Sequence, residues 1–187
     1  HIFFTSDNGG TRQFNAPLRD GKGSLYEGGI RVPVFWNGPG VKEGSLSEEP
    51  VSTIDFLPTL LELAGVPLPT NQAVDGRSLL PIRDGKSLER TSLFWHFPCY
   101  TGNAKPSSAI RQGNWKLIEF YETGKPELYD LSIDPSESKD LSGANPEKTG
   151  LLLKTLHDWQ KETGAAIPSG PNPNYDPNAK KRSREER

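Results

Sequence analysis

Between residues 93 and 131 the chain carries four short β-rich segments, and one long amphipathic stretch follows them; together these restrict the fold more than any other feature. The segments fall at 93–97, 107–111, 115–120 and 127–131. Gln112-Gly113-Asn114 separates the middle pair and reads as a tight hairpin turn. Consecutive strands joined by short turns predict a small antiparallel meander. Such a meander needs cover for its apolar face, and a helix predicted over 146–163 provides it. Asn145 is placed to cap that helix, and Pro146 fits its first position. Leu152, Leu156 and Trp159 form its apolar stripe, with Leu153 beside it, and Gly164 stops it.

The first half is organised differently. Residues 1–5, His-Ile-Phe-Phe-Thr, read as a buried strand ending in the polar turn Ser6-Asp7-Asn8-Gly9-Gly10. Residues 11–31 read mostly as loop. A second strand is predicted over 32–36, where Pro33 points to an edge or a strand start, and Asn37-Gly38-Pro39-Gly40 ends it. Ile54, Leu57, Leu60, Leu61 and Ala64 recur at helical spacing, which predicts a helix over 52–64. Pro58 places its start near Asp55, and Gly65 ends it. This helix is expected to hide its apolar face against the sheet. Residues 66–90 read as a connector punctuated by proline and glycine. The predicted organisation is an α/β core portion at 1–85, a small α+β subdomain at 86–165 and an extended or disordered tail at 166–187. The tail carries a basic cluster, Lys180, Lys181, Arg182, Arg184 and Arg187, which reads as a solubilising end.

Composition removes several function classes. The formal net charge is -2 over 187 residues, so the basic footprint of a nucleic-acid binder is missing. No apolar run reaches the length of a membrane span, and neither nucleic acid nor membrane is expected as a partner. Cys99 is the one cysteine, which excludes an internal disulfide; it reads as a small buried hydrophobe rather than a nucleophile. The chain contains no Met and opens inside a strand, as a piece of a longer protein would.

Three constellations carry possible chemistry. Asp7 and Asn8 offer a carboxylate and an amide oxygen, both suited to a hard cation, although Asp-Asn-Gly-Gly is also a good plain turn. Lys22 stands between Gly21 and Gly23, where the backbone bends tightly enough for one ammonium to reach an anion. The spacing is not that of a P-loop, and on spacing alone Lys22 reads as a solvated lysine. Glu27 and Arg31, four apart, read as a structural pair across the bend. His96 follows an apolar strand within Trp95-His96-Phe97-Pro98-Cys99-Tyr100, either as a satisfied structural residue or at a pocket rim. His157 reads as a surface residue of the late helix.

Thr5-Ser6-Asp7-Asn8-Gly9, followed by Pro17-Leu18-Arg19-Asp20-Gly21-Lys22-Gly23-Ser24-Leu25-Tyr26-Glu27-Gly28-Gly29-Ile30-Arg31-Val32-Pro33, resembles the C-terminal active-site block of type I sulfatases. These are arylsulfatase-like members of the alkaline phosphatase superfamily. Asp55-Phe56-Leu57-Pro58-Thr59-Leu60, Asp75-Gly76-Arg77-Ser78-Leu79, Ile110-Arg111-Gln112-Gly113-Asn114-Trp115-Lys116-Leu117 and Glu127-Leu128-Tyr129-Asp130-Leu131 extend the resemblance over about residues 1–165. It implies the C-terminal part of an alkaline-phosphatase-like sulfatase core, an α/β fold, joined to a small antiparallel sheet with one packed helix. It implies hydrolysis of sulfate esters, with Asp7 and Asn8 as two calcium ligands, Lys22 contacting the sulfate and His96 near the substrate.

The implied partners are a sulfated small molecule or carbohydrate and the missing N-terminal sulfatase segment. The implied location is periplasmic or secreted. The alternatives are a phosphomonoester or phosphonate hydrolase of the same superfamily, which tends to carry histidine where Asn8 stands, or a non-catalytic scaffold. Two departures stand out. Asp20 occupies the place of a usual glycine, and the Cys/Ser-x-Pro-Ser-Arg motif that becomes formylglycine is absent. Formylglycine is therefore expected on the missing N-terminal part, and the isolated chain is expected to be inactive.

Overall fold

The computed structural model describes residues 1–100 and 105–170. Residues 101–104, and the tail beyond 170 with its basic cluster, lie outside the described residues.

Strands β3 (Leu93–Phe97), β4 (Ser107–Gln112), β5 (Trp115–Phe120) and β6 (Lys125–Asp130) form a four-stranded sheet in sequence order. Every pairing is antiparallel. Gln112 pairs with Trp115, leaving Gly113 and Asn114 as a two-residue hairpin turn. Gly113 has φ 58, a conformation that glycine adopts without a side-chain clash.

The period-two alternation sorts the side chains onto two faces. Ile110, Leu117 and Leu128 form one buried cluster with Leu152 and Leu156 of α4 (Pro146–Thr163). Phe94 stacks on Trp159 of the same helix with ring centroids 4.8 Å apart. Gly164, at φ 64, closes α4 as expected. Asn145 precedes the helix, but its amide donates to the Leu141 carbonyl at 3.3 Å instead of capping the first turn. Ala109, Ile118 and Tyr129 point to the opposite face, where Leu25, Tyr26 and Leu131 cover them. The sequence pattern gives no sign of that second cover. Leu25 and Tyr26 come from the first half of the chain, so the buried cluster crosses the boundary drawn at residue 85.

In the first half, β1 (Ile2–Thr5) pairs with β2 (Val34–Asn37) as an antiparallel two-stranded ribbon, with Phe3 opposite Trp36. Phe3 stacks on Trp36 at 4.9 Å and reaches Phe56 of α2 (Phe56–Leu63) at 5.4 Å. The expectation of a buried first strand is corrected here. Ile2, Phe4 and Phe35 are 69%, 64% and 63% exposed, because no described layer covers that face of the ribbon.

Helix α2 departs from expectation in the same way. Ile54, Leu57 and Leu60 are about half exposed, while Asp55, Pro58 and Thr59 are buried. A polar hub draws that side inward. Asp55 accepts hydrogen bonds from the backbone N–H of Ser52 (2.7 Å) and Arg77 (2.9 Å) and from the Arg90 guanidinium. The Thr59 hydroxyl accepts from Leu79 N–H at 2.9 Å. Gly76 passes so close that a Cβ there would lie 2.0 Å from the Ile54 carbonyl oxygen. The Asp75-Gly76-Arg77 stretch is thus fixed by Asp55, and a short helix, α3 (Leu80–Arg83), follows it inside the predicted connector.

Leu152 is fully buried between α4 and the sheet. Leu152→Ala is expected to cost about 2–5 kcal/mol in urea unfolding. A loss under about 1 kcal/mol would mean that α4 is not the cover of this sheet.

Candidate functional site

The turn bearing Asp7 and Asn8 meets the loop bearing Lys22 chiefly through backbone contacts, with the Asn15 side chain between them. Gly9 N–H donates to Gly29 O at 2.8 Å, and Lys22 N–H donates to Gly10 O at 2.9 Å. A Cβ on Gly9 would stand 1.9 Å from Gly28 O, and one on Gly21 would stand 2.6 Å from Gly10 O. Any side chain at these positions would force the segments apart. Asn15 locks the junction, its amide nitrogen lying 2.9 Å from Gly10 O, 3.0 Å from Asp20 O and 2.9 Å from Gly28 O. Asp20 has φ 61, a left-handed conformation that suits glycine and that asparagine and aspartate tolerate better than most other residues.

With the backbone occupied in this way, several side chains at the junction remain uncommitted, those of Asp7, Asn8 and Lys22 among them. Among the described residues, the Asp7 carboxylate, the Asn8 carboxamide and the Lys22 ammonium make no hydrogen bond or ion pair. Asp7 and Lys22 are exposed and Asn8 is half-buried. Two oxygen donors do not make a complete ion site, and among the described residues no group of three or more His, Cys, Asp or Glu is placed to hold a metal.

The Lys22 loop is anchored to the four-stranded sheet through its other polar residues. The Arg19 guanidinium donates to the Tyr129 hydroxyl and to Glu137 O, both at 2.8 Å, and lies 3.9 Å from the centroid of the Tyr26 ring. The Tyr26 and Tyr129 hydroxyls both donate to Glu127, at 2.6 and 2.5 Å. Burial, then the bond to Glu127, pushes both phenols above their ordinary range, which keeps them as donors.

Glu27 opens α1 (Glu27–Ile30) and is 2% exposed. Its expected partner Arg31 lies 3.7 Å away, but its close partner is the fully buried Lys116, at 2.9 Å. Lys116 also pairs with Glu137 at 2.8 Å, and Glu137 accepts the backbone N–H of Glu27 at 2.6 Å. Sequence reasoning does not single out Lys116 or Glu137. Lysine on a strand and glutamate in a serine-rich loop both look like surface residues.

His96 lies in β3 with both ring nitrogens engaged. Nδ1 is 2.7 Å from Ser108 Oγ and Nε2 is 3.2 Å from Ala166 O. A carbonyl can only accept, so in the neutral ring Nε2 carries the proton and Nδ1 accepts from a hydroxyl, that of Ser108 or that of Tyr121 at 3.1 Å. Cys99 is exposed, not buried as expected, because it follows Pro98 beyond the end of β3. His157 lies on the surface of α4 and meets Glu119 at 2.9 Å. A cleft of ≈ 440 Å³ opens between residues 12–20 and 136–138, beside Arg19 rather than at Asp7.

Comparison with known proteins identifies the family. Residues 20–162 match the family described as N-sulphoglucosamine sulphohydrolase, C-terminal. A sulfatase of Formosa agariphila is 40% identical over 167 residues, covering 81% of this chain and 30% of that protein. The solved structure of BT4656 in complex with its substrate D-glucosamine-2-N,6-O-disulfate superposes with TM-score 0.73 at 30% identity, covering 87% of this chain and 34% of that one. The phosphonate monoester hydrolase of Agrobacterium radiobacter superposes with TM-score 0.62 at 27% identity, covering 87% and 34%. The chain spans about a third of the length of these proteins. It belongs to the sulfatase family of the alkaline phosphatase superfamily and corresponds to the C-terminal domain.

The loop presenting Glu137 is organised by Asp134, which accepts the N–H groups of Ser138 and Lys139 at 2.9 Å and the hydroxyls of Ser136 and Ser138. Partial burial pushes its carboxyl up, but these bonds outweigh that and hold it down to about 2, against an ordinary 3.8. Asp134 therefore contributes stability that is complete above about pH 4 and fades as pH falls through about 2. Relative to Asp134→Asn, the native chain is expected to be more stable at pH 6. The gap should close on acidification, read from urea unfolding at each pH, and a gap that widens in acid would contradict this assignment.

Proposed function

We propose that this member of the sulfatase family hydrolyses sulfate esters as part of a complete sulfatase, with Asp7 and Asn8 supplying two calcium ligands and Lys22 contacting the sulfate group. One observation carries the reading. The two loops are joined largely through their backbones, and the side chains left without partners include an acid, an amide and an ammonium, those of Asp7, Asn8 and Lys22.

The donor set fits a hard cation. Calcium takes about six to eight oxygen ligands, so Asp7 and Asn8 would fill one side of its shell and the rest would come from protein outside this chain. Bound calcium would draw charge from the sulfate oxygens. The Lys22 ammonium, on a residue whose backbone N–H is held by Gly10 O, would donate to a non-bridging sulfate oxygen and stabilise charge there as the ester bond breaks. His96 would meet substrate through the carbon edge of its ring, since both nitrogens are held.

The nucleophile, formylglycine in this reading, would lie in the preceding segment, and this chain alone would not turn over substrate. The substrate would be a sulfated small molecule or carbohydrate, in keeping with the disulfated glucosamine bound by BT4656. A periplasmic or secreted location belongs to the same proposal. The similarity to a phosphonate monoester hydrolase supports a second reading, in which the ester is a phosphate or phosphonate. Asn8, in place of the histidine usual in such enzymes, favours sulfate.

In the full-length protein, Lys22→Ala is expected to lower kcat/KM for an aryl sulfate by about 100-fold or more, with an unchanged melting temperature. A rate within about twofold of the parent would remove Lys22 from the site. Parallel assays with aryl sulfate, phosphate and phosphonate esters decide between the two readings.

A further inference from the structure

We infer that the buried group Glu27–Lys116–Glu137 is a positioning unit, through which the four-stranded sheet sets the placement of Asn8 and Lys22 together. The inference deepens the proposed sulfatase site and rests on that reading.

All three side chains are at most 2% exposed. The Lys116 ammonium, on β5, stands 2.9 Å from Glu27 and 2.8 Å from Glu137. Two carboxylates share this one close ammonium, and the guanidiniums of Arg31 and Arg111 stand farther off, at 3.7 and 4.0 Å from Glu27. Glu137 reaches past the ammonium to accept the first N–H of α1 at 2.6 Å. Helix α1 is therefore held at both its side chain and its backbone.

What α1 touches on its other side are the two site loops. Gly29 O accepts Gly9 N–H at 2.8 Å, one residue from Asn8, and Gly28 N–H donates to Arg19 O at 2.9 Å. A Cβ on Gly29 would stand 2.1 Å from Ser24 O and 2.7 Å from Gly21 O, on either side of Lys22. A shift of α1 therefore displaces both loops at once. A buried charge group is a costly way to hold a helix, and its directional bonds fix an angle that apolar packing would leave looser.

The test uses Glu137→Gln and Glu27→Gln, which keep shape and remove one carboxylate charge each, with Lys22→Ala alongside. In full-length protein, kcat for an aryl sulfate is expected to fall about tenfold in both Gln variants, as when partners that orient metal ligands are altered. In the same full-length protein, the Gly9 and Lys22 amides are expected to exchange hydrogen faster while those of β4 and β5 do not.

Parent-like kcat and exchange in both Gln variants, beside an inactive Lys22→Ala, would overturn the positioning role and leave the sulfatase reading standing. A fully active Lys22→Ala would remove Lys22 from the site, whereas a full-length parent that leaves aryl sulfate uncleaved would remove the sulfatase reading itself. Faster exchange across the whole sheet in both variants would mark the group as merely structural and would also overturn the inference.

Discussion

The close approach of two glycine-bearing stretches of backbone governs everything at the candidate site. Peptide groups meet where side chains would normally intervene, with Gly9 against Gly28–Gly29 and Gly21 against Gly10. Contacts of this kind satisfy backbone N–H and C=O groups of the two loops without calling on the side chains of Asp7, Asn8 or Lys22. Asp7, Asn8 and Lys22 are therefore released from structural duty. Asn15 serves the junction in their place, and Asp20 bends the chain through a left-handed conformation that keeps the turn compact.

Two kinds of cohesion divide the molecule. On the α4 side of the sheet the contact is apolar and follows from alternation along each strand. On the opposite side, Leu25 and Tyr26 bring an apolar patch, but the surrounding ties are charged: Arg19 to Tyr129, Tyr26 to Glu127, Lys116 between two glutamates. Asp55 plays a similar part beneath α2, gathering Ser52, Arg77 and Arg90. Buried charges carry a desolvation cost that only close geometry offsets, so they restrict where a segment can sit more sharply than an oily surface does.

Features governed by short sequence separations are legible in the residues themselves. The four strands, the Gly113–Asn114 turn and the bounds of α4 follow from periodicity and from the punctuation by proline and glycine. The motif residues Asp7, Asn8 and Lys22 are legible as a group only through resemblance, since each alone passes for a turn or surface residue. Distant partners are not legible. Nothing local to Lys116 signals that Glu27, 89 residues away, will neutralise it. The apolar pattern of residues 2–4 and 54–60 does promise burial, yet no layer within the described chain covers those faces. Periodicity identifies a face that seeks cover but says nothing of where the cover lies.

The sheet pairs its strands strictly with their sequence neighbours, whereas the Lys22 loop depends on residues far downstream, with Arg19 reaching Glu137 across 118 positions. Contacts between neighbours close quickly and distant ones slowly, since loop-closure entropy rises with separation. The meander and its helix are thus the natural early nucleus of this domain. On a ribosome the order of synthesis runs the other way. The stretch containing Asp7 and Lys22 is made before the sheet it leans on, and its anchors within this domain are complete only once Lys116 and then Glu137 have been made.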